Sequence, residues 1–396
     1  MNNVWLKDAM ECCEQLISYR RKLHACAETG FDLPKTSQTI TEALTAMGYE
    51  PKIIGRCGLV ATIGKGEPAV LLRADIDALP IKEQTSLSYA CKDSHMHACG
   101  HDMHATMLLG AAALLRKHVQ QLDGCVKLMF QPAEELLEGA KDMLDHGLLE
   151  DTEKCTALML HVMSDSGLKT GTVVVPNAGV SAPAADFFSI TVSGKGCHGA
   201  MPHMGVDPIN AGAHILLALQ TINAREMGAN QAHAITITAF NSGATANVIP
   251  GEAILQGSVR SYDTKTQQFL RKRIETIVQS TAAAFRASAH VTWLSSCPTL
   301  INDVRLVKKA EELLPSVLGT DRVLSADKLG GAGARSVGSE DFSYISQRVP
   351  SLMLAIAAGG EYPLHHPKVV FKEEALPYGA AAYAAFAAQM AGFNCS

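Results

Sequence analysis

Hydrophobic and polar positions follow two different rhythms along the chain. In the first part, residues Glu11–His24 and Ser37–Met47 carry the amphipathic spacing of helices. Short apolar, β-rich runs follow at Leu59–Ile63, Val70–Arg73, Val126–Phe130, Ala157–Leu160 and Thr172–Val175, and between them Asp102–His118 reads as an Ala- and Leu-rich helix. Strands alternating with helices predict an α/β fold with a mostly parallel, mixed sheet covered by helices. From about Ala184 the rhythm changes. Phe187–Val192 reads as a strand, Pro208–Arg225 as a helix, His233–Phe240 and Ala253–Val259 as alternating strands, Lys265–Phe285 as a long helix and His290–Leu294 as a last strand. That order, β-α-β-β-α-β, predicts a small ferredoxin-like α+β unit inserted into the first. The chain then returns with a helix near Val304–Val317, a strand at Leu352–Ala357 and an Ala-rich helix from about Ala375. The expected division is 1–182 with 295–396 as one domain and 183–294 as the insertion.

Length agrees with this picture, because 396 residues exceed what one core usually supports. With 47% hydrophobic and 18% charged residues the composition is that of an ordinary globular protein. A net charge of −5 and the absence of a concentrated basic patch argue against nucleic acid as a partner. No apolar run is long enough to span a bilayer. The start, MNNVWLKDAMECCEQL, carries early charges and no apolar stretch of the kind secretion signals use. Eleven scattered Cys residues without framework spacing predict reduced thiols and a cytoplasmic protein.

In open α/β sheets the working residues sit at the carboxyl ends of strands. Here Val70–Arg73 runs into Asp75 and Asp77, Val126–Phe130 into Glu134 and Glu135, Ala157–Leu160 into His161, and Leu352–Ile356 toward His365 and His366. Carboxylates and imidazoles at four strand ends are the groups that hold divalent metals. Two adjacent glutamates often mark nothing more than a helix start, and a single His after a strand is weak evidence. The run His95-Met96-His97-Ala98-Cys99-Gly100-His101-Asp102-Met103-His104 is denser in donors than packing requires. A paired metal site polarises a carbonyl and acidifies water. A carboxylate that is not a ligand must then move the proton, a division of labour that Glu134-Glu135 could supply.

Seven separated segments carry a resemblance over nearly the whole chain: Arg73–Pro80, His97–His104, Gln131–Glu135, Ser193–His203, Asn247–Gly251, Gly338–Phe342 and Leu364–Pro367. They resemble the M20 metallopeptidase family, and most of all its amidohydrolase branch of hippurate hydrolases, N-acyl-amino-acid amidohydrolases, deacetylases and plant auxin-conjugate hydrolases. The resemblance implies a catalytic domain with an inserted lid that also forms a homodimer. It implies metal-dependent hydrolysis of the amide bond of N-acetyl or N-aroyl amino acids. The implied metal ligands are Cys99, His101, Glu135, His161 and His365, holding two divalent ions: manganese first, with zinc, cobalt or nickel also compatible. Glu134 is implied as the general base, Asp77 as the residue orienting a metal-bound His, and His198 as the group stabilising the oxyanion. Asn247 and Arg260 are implied to hold the substrate's carboxylate. Spacing leaves His97 and His101, or His365 and His366, as equals; the resemblance separates them. Cys197 stands where the family more usually has Gly, and His366 where many members have Ser. The same machinery suits a dipeptidase or carboxypeptidase. A catalytically silent binding protein and a hydrolase using Cys99 as nucleophile are the remaining alternatives.

Overall fold

The computed structural model describes residues 4–67, 69–150, 154–329 and 338–393. The chain divides into two compact units, one of residues 1–181, 301–335 and 341–396, the other of residues 182–300 and 336–340.

The first unit is built on an eight-stranded sheet in the spatial order Lys52–Ile54, Gly58–Gly64, Cys125–Gln131, Ala69–Asp75, Cys155–Met163, Ser351–Ala357, Val173–Val175, Val323–Ser325. The four central strands, Cys125–Gln131 through Ser351–Ala357, run parallel to one another, and each flanking neighbour pairs with them antiparallel. Ala69–Asp75 and Cys125–Gln131 are buried at every position, as expected for strands covered on both faces. The helix His101–Lys117 is buried at nearly every position, with Arg116 and Lys117 exposed at its end. A helix apolar all round must be covered by others, and the Ala-rich helix Leu376–Met390 packs against it.

Tyr383, on that late helix, ties two strands together. Its hydroxyl donates to the Arg73 carbonyl at 2.7 Å and accepts from the Leu160 amide at 2.8 Å. The parallel register of Ala69–Asp75 with Cys155–Met163 ends at Arg73 opposite Met159. The phenol therefore takes over the pairing where the strands part, just before His161.

The second unit is an antiparallel sheet in the order His233–Ser242, Glu252–Ser261, Ala184–Ser193, Ser288–Cys297. Phe188, Ile190, Val192, Ala253, Leu255 and Val259 turn inward onto the helices Pro208–Thr221 and Thr264–Ala284. Asp207 and Asp263 cap those helices by accepting their first free backbone N–H groups. The chain order of these elements is the β-α-β-β-α-β expected from the sequence.

Two local expectations shift. The first amphipathic stretch, expected at Glu11–His24, is the helix Cys13–Ala25, and a further short helix, Val4–Glu11, precedes it. The strand expected to end at Leu160 continues to Met163, so His161 projects from within it.

Candidate metal centre

Each candidate ligand in the first unit has a distinct structural origin. Gly100 opens the helix His101–Lys117 at a φ of 84°, and a Cβ there would lie 2.4 Å from Val162 Cγ2. Only glycine lets this helix start against the strand that carries His161. Cys99 and His101 therefore flank a tight approach of helix and sheet. Glu134 and Glu135 lie in a loop after Cys125–Gln131. Ala133 and Leu137, on either side of the pair, adopt φ of 53° and 58°, and a Cβ on Gly139 would come within 1.6 Å of the Pro132 carbonyl oxygen. His365 is itself left-handed at φ 65°, and its amide donates to the Ala98 carbonyl at 2.9 Å. Non-glycine residues in this conformation store strain that tends to collect at functional sites.

The five candidates converge. Donor atoms of Cys99, His101 and His161 lie within 4.8 Å of one another, as do those of Cys99, Glu135 and His365. Cys99 belongs to both groups. Cys99 Sγ is 3.6 Å from His161 Nε2, and Glu135 Oε1 is 3.6 Å from His365 Nε2 and 3.9 Å from His101 Nε2. His161 Nδ1 donates to the Val162 carbonyl at 2.8 Å, and His101 Nδ1 donates to the Asp77 carbonyl at 2.8 Å. In both imidazoles Nε2 is then the nitrogen left to face the cluster.

Electrostatics agree with this geometry. Burial alone would raise the Cys99 thiol, but the imidazoles of His161 and His101 hold it well below its ordinary range, so a thiolate is favoured. Burial and the Cys99 charge push the Glu135 carboxyl up to about 7. His101 is driven the other way from burial, well above its usual value, by Asp75, Asp77 and the Cys99 charge. His101 Nε2 and Glu135 Oε1 are buried with no hydrogen-bond partner among the described residues. Buried polar atoms without partners call for an explanation. Thiolate, imidazole and carboxylate donors converging on them fit a divalent cation.

The carboxylate of Asp77 lies beside the His101 imidazole, with Oδ1 3.5 Å from Nδ1, and it also does a second job. Its two oxygens accept the backbone N–H groups of Glu134 at 3.0 Å and Glu135 at 3.3 Å, while its carbonyl holds His101. Asp77 thus fixes the glutamate loop and one histidine together. Glu134 is buried, and its carboxylate lies in a group with His101 and Glu135.

Several residues outside the expected ligand set support the site. His104 is buried, and burial pushes its imidazole down to about 4, so it is neutral. Its Nδ1 donates to Asp75 Oδ1 at 2.6 Å and its Nε2 accepts the Val162 amide at 2.9 Å. Asp75 in turn takes Arg73 Nη1 at 2.8 Å. Arg73 reaches Gln131 at 2.8 Å and Asp341 at 3.1 Å, and Asp341 also accepts from Gln131 and the Ala140 amide. The signal was present: an Arg inside the apolar run Ala69–Asp75 needs partners when that run is buried. His97, another imidazole of that run without an assigned role, is fully buried, and burial pushes it down to about 3. His104→Ala is expected to weaken divalent-metal affinity by about 10- to 100-fold, because the amide next to His161 loses its acceptor. Chelator-competition titration measures this, and an affinity within about twofold of the parent would show that His104 only fills space.

The residues expected to bind substrate lie in the second unit. His198 and Asn247 meet there: Cys197–His198 pairs with Val248–Ile249, and the Gly199 amide donates to the Asn247 carbonyl at 2.8 Å. His198 is exposed, and its Nδ1 accepts the Ala200 amide at 3.0 Å, which leaves Nε2 as the protonated nitrogen. Arg260 projects from Glu252–Ser261, with its guanidinium 4.9 Å from the Phe187 ring centroid and Nη1 donating to the Val259 carbonyl.

A helix-flanked, largely parallel sheet with thiolate, imidazole and carboxylate donors gathered at its strand ends defines a metal-dependent hydrolase. The sequence model of peptidase family M20/M25/M40 matches residues 71–389, and the chain belongs to that family. Within it, the chain falls in the amidohydrolase branch. It is 36% identical over 372 residues to the N-acetyl-L-cysteine deacetylase of Bacillus subtilis, covering 92% of this chain and 85% of that one. It is 34% identical over 390 residues to an IAA-amino acid hydrolase of Arabidopsis thaliana, covering 96% and 86%. A Bacillus subtilis structure described as a dinuclear metal binding peptidase from M20 family superposes with a TM-score of 0.79 at 30% identity, over 97% of this chain and all of that one.

Proposed function

We propose that the protein hydrolyses the amide bond of N-acyl amino acids, releasing a carboxylic acid and a free amino acid. The observation that carries this is the pair of donor groups sharing Cys99, with Glu134 beside them. Cys99, His101 and His161 would hold one divalent cation, and Cys99, Glu135 and His365 a second. Such ions polarise the amide carbonyl and acidify water when bound. Glu134 takes the proton of the attacking water as its oxygen bonds to the acyl carbon. As the C–N bond breaks, Glu134 returns that proton to the amine nitrogen. Asp77 keeps Glu134 and Glu135 at fixed separation through their backbone amides. The Nε2 proton of His198 stabilises the oxyanion, and Asn247 and the Arg260 fork hold the α-carboxylate.

We assign manganese as the working metal and zinc as its nearest competitor, since mixed carboxylate and imidazole donors admit both. Residues 183–294 act as lid and homodimer surface in this proposal, and the protein works in the cytoplasm on a small-molecule substrate. Among the described residues no helix is long and apolar enough to cross a membrane. The test is a panel of N-acetyl amino acids, N-benzoylglycine and dipeptides, run on enzyme stripped with chelator and reloaded with each metal. Turnover of N-acyl amino acids that vanishes on chelation and returns best with manganese is expected. Faster turnover of dipeptides would favour the peptidase alternative, and activity indifferent to chelator would overturn the metal-dependent mechanism.

A further inference from the structure

The first unit carries an open cleft of about 700 Å³ with Glu135 in its wall. Its apolar surface comes from Phe31, Ala78, Leu79, Pro80 and Leu136. Leu136, directly after the presumed ligand Glu135, is 47% exposed. Apolar surface left open beside a polar, charge-dense cluster is the composition of a ligand pocket. Phe31 and Arg56 form one flat wall, the guanidinium lying 3.7 Å from the ring centroid.

The charges say which half of a substrate fits. The two acidic lining residues are Asp32 and Glu135, and Arg56 is the one cation of the lining. That cation is engaged, stacked on Phe31 and 3.9 Å from Glu138 Oε2. Glu135 is taken up by the metal centre, but Asp32 is exposed, so an α-carboxylate entering here would meet its like charge, whereas an uncharged acyl group would not. The size says which acyl groups. An acetyl methyl would leave most of the cleft to water, while a ring would cover the apolar wall and meet the Phe31 edge and Arg56 cation.

We propose that this cleft is the acyl subsite and that it selects aroyl or arylalkanoyl groups over acetyl, with Phe31 and Leu136 setting the preference. The proposal rests on the amidohydrolase function given above. On manganese-loaded enzyme, kcat/KM for N-benzoylglycine is expected to exceed that for N-acetylglycine by about tenfold or more. Phe31→Ala, which removes the flat wall, and Leu136→Trp, which narrows the cleft, are each expected to lower that ratio by about tenfold. If both compounds are hydrolysed but acetyl is preferred, or neither variant moves the ratio, the subsite is overturned and the amidohydrolase function stands. If neither is hydrolysed the function falls, and calorimetry on the metal-loaded Glu134→Gln protein decides the subsite. N-benzoylglycine binding about tenfold more tightly than N-acetylglycine, and less tightly once Phe31→Ala is added, would uphold it. Equal affinities, or no binding, would overturn it.

Discussion

Replacing Glu134 by glutamine is expected to lower kcat by about three orders of magnitude while leaving the metal content of the protein unchanged. Glutamine keeps the size and shape of the side chain, but one oxygen becomes a donating NH2 and the charge is lost, and with it the capacity to accept a proton. The Asp77 anchor on the backbone of this loop does not depend on the Glu134 side chain, so the loop is expected to keep its shape. Glu135→Gln is the contrasting case. Its Oε1 stands between His365 and His101, so loss of its charge is expected to reduce bound metal as well as rate. Metal analysis and steady-state kinetics on both variants separate the roles. A Glu134→Gln enzyme that keeps more than about a tenth of its kcat would remove Glu134 as the base, and one that loses its metal would make it a ligand.

Arg73→Ala is expected to be the most damaging single change to the stability of the first unit. The guanidinium is wholly buried and is held by Asp75, Gln131 and Asp341. Removing it leaves two carboxylates buried with their cation gone. Breaking a buried ion pair in this way costs about 3–5 kcal/mol. The chain has two tryptophans: Trp5 is buried in the first unit and Trp293 lies in the second. In a Trp293→Phe background, urea unfolding followed by tryptophan fluorescence therefore reports the first unit alone. A loss below about 1 kcal/mol would mean that Asp75 and Asp341 find other partners, or are hydrated, once Arg73 is gone.

The fold was readable where a period was strong and local. Period-two alternation marked the strands of the second unit, and unbroken apolar runs marked the buried parallel strands of the first. Strand ends were less readable: the run into His161 continues to Met163 because Val162 is as apolar as its predecessors. Short edge strands such as Lys52–Ile54 and Val323–Ser325 escaped because three residues carry no period. At the candidate site, clustering of His, Cys and Glu in the sequence pointed to the chemistry, and only resemblance distinguished His101 from His97. The structure separates them physically, since His101 Nε2 opens into the cluster while His97 is sealed among buried groups. The network of Arg73 with Asp341 joins residues 268 positions apart, and no local pattern encodes such a partner. Asp77 shows the same limit in smaller form. Its position at a strand end was evident, but which of its oxygens would meet His101 depended on where the glutamate loop returns.

The phenol of Tyr383 has a consequence for how the protein is made. It completes the pairing of two strands at the point where the candidate ligand His161 emerges, yet it lies 223 positions beyond Leu160 in the chain. At about 5–20 residues per second, a ribosome takes on the order of ten to forty-five seconds to cover that distance. During that interval the nascent sheet holds a thiol, several imidazoles and an open strand end with no late helix to close them. Slow synthesis at low temperature lengthens this exposed stage, so the yield of active protein is expected to depend on chaperone cover and on a reducing environment while translation is under way.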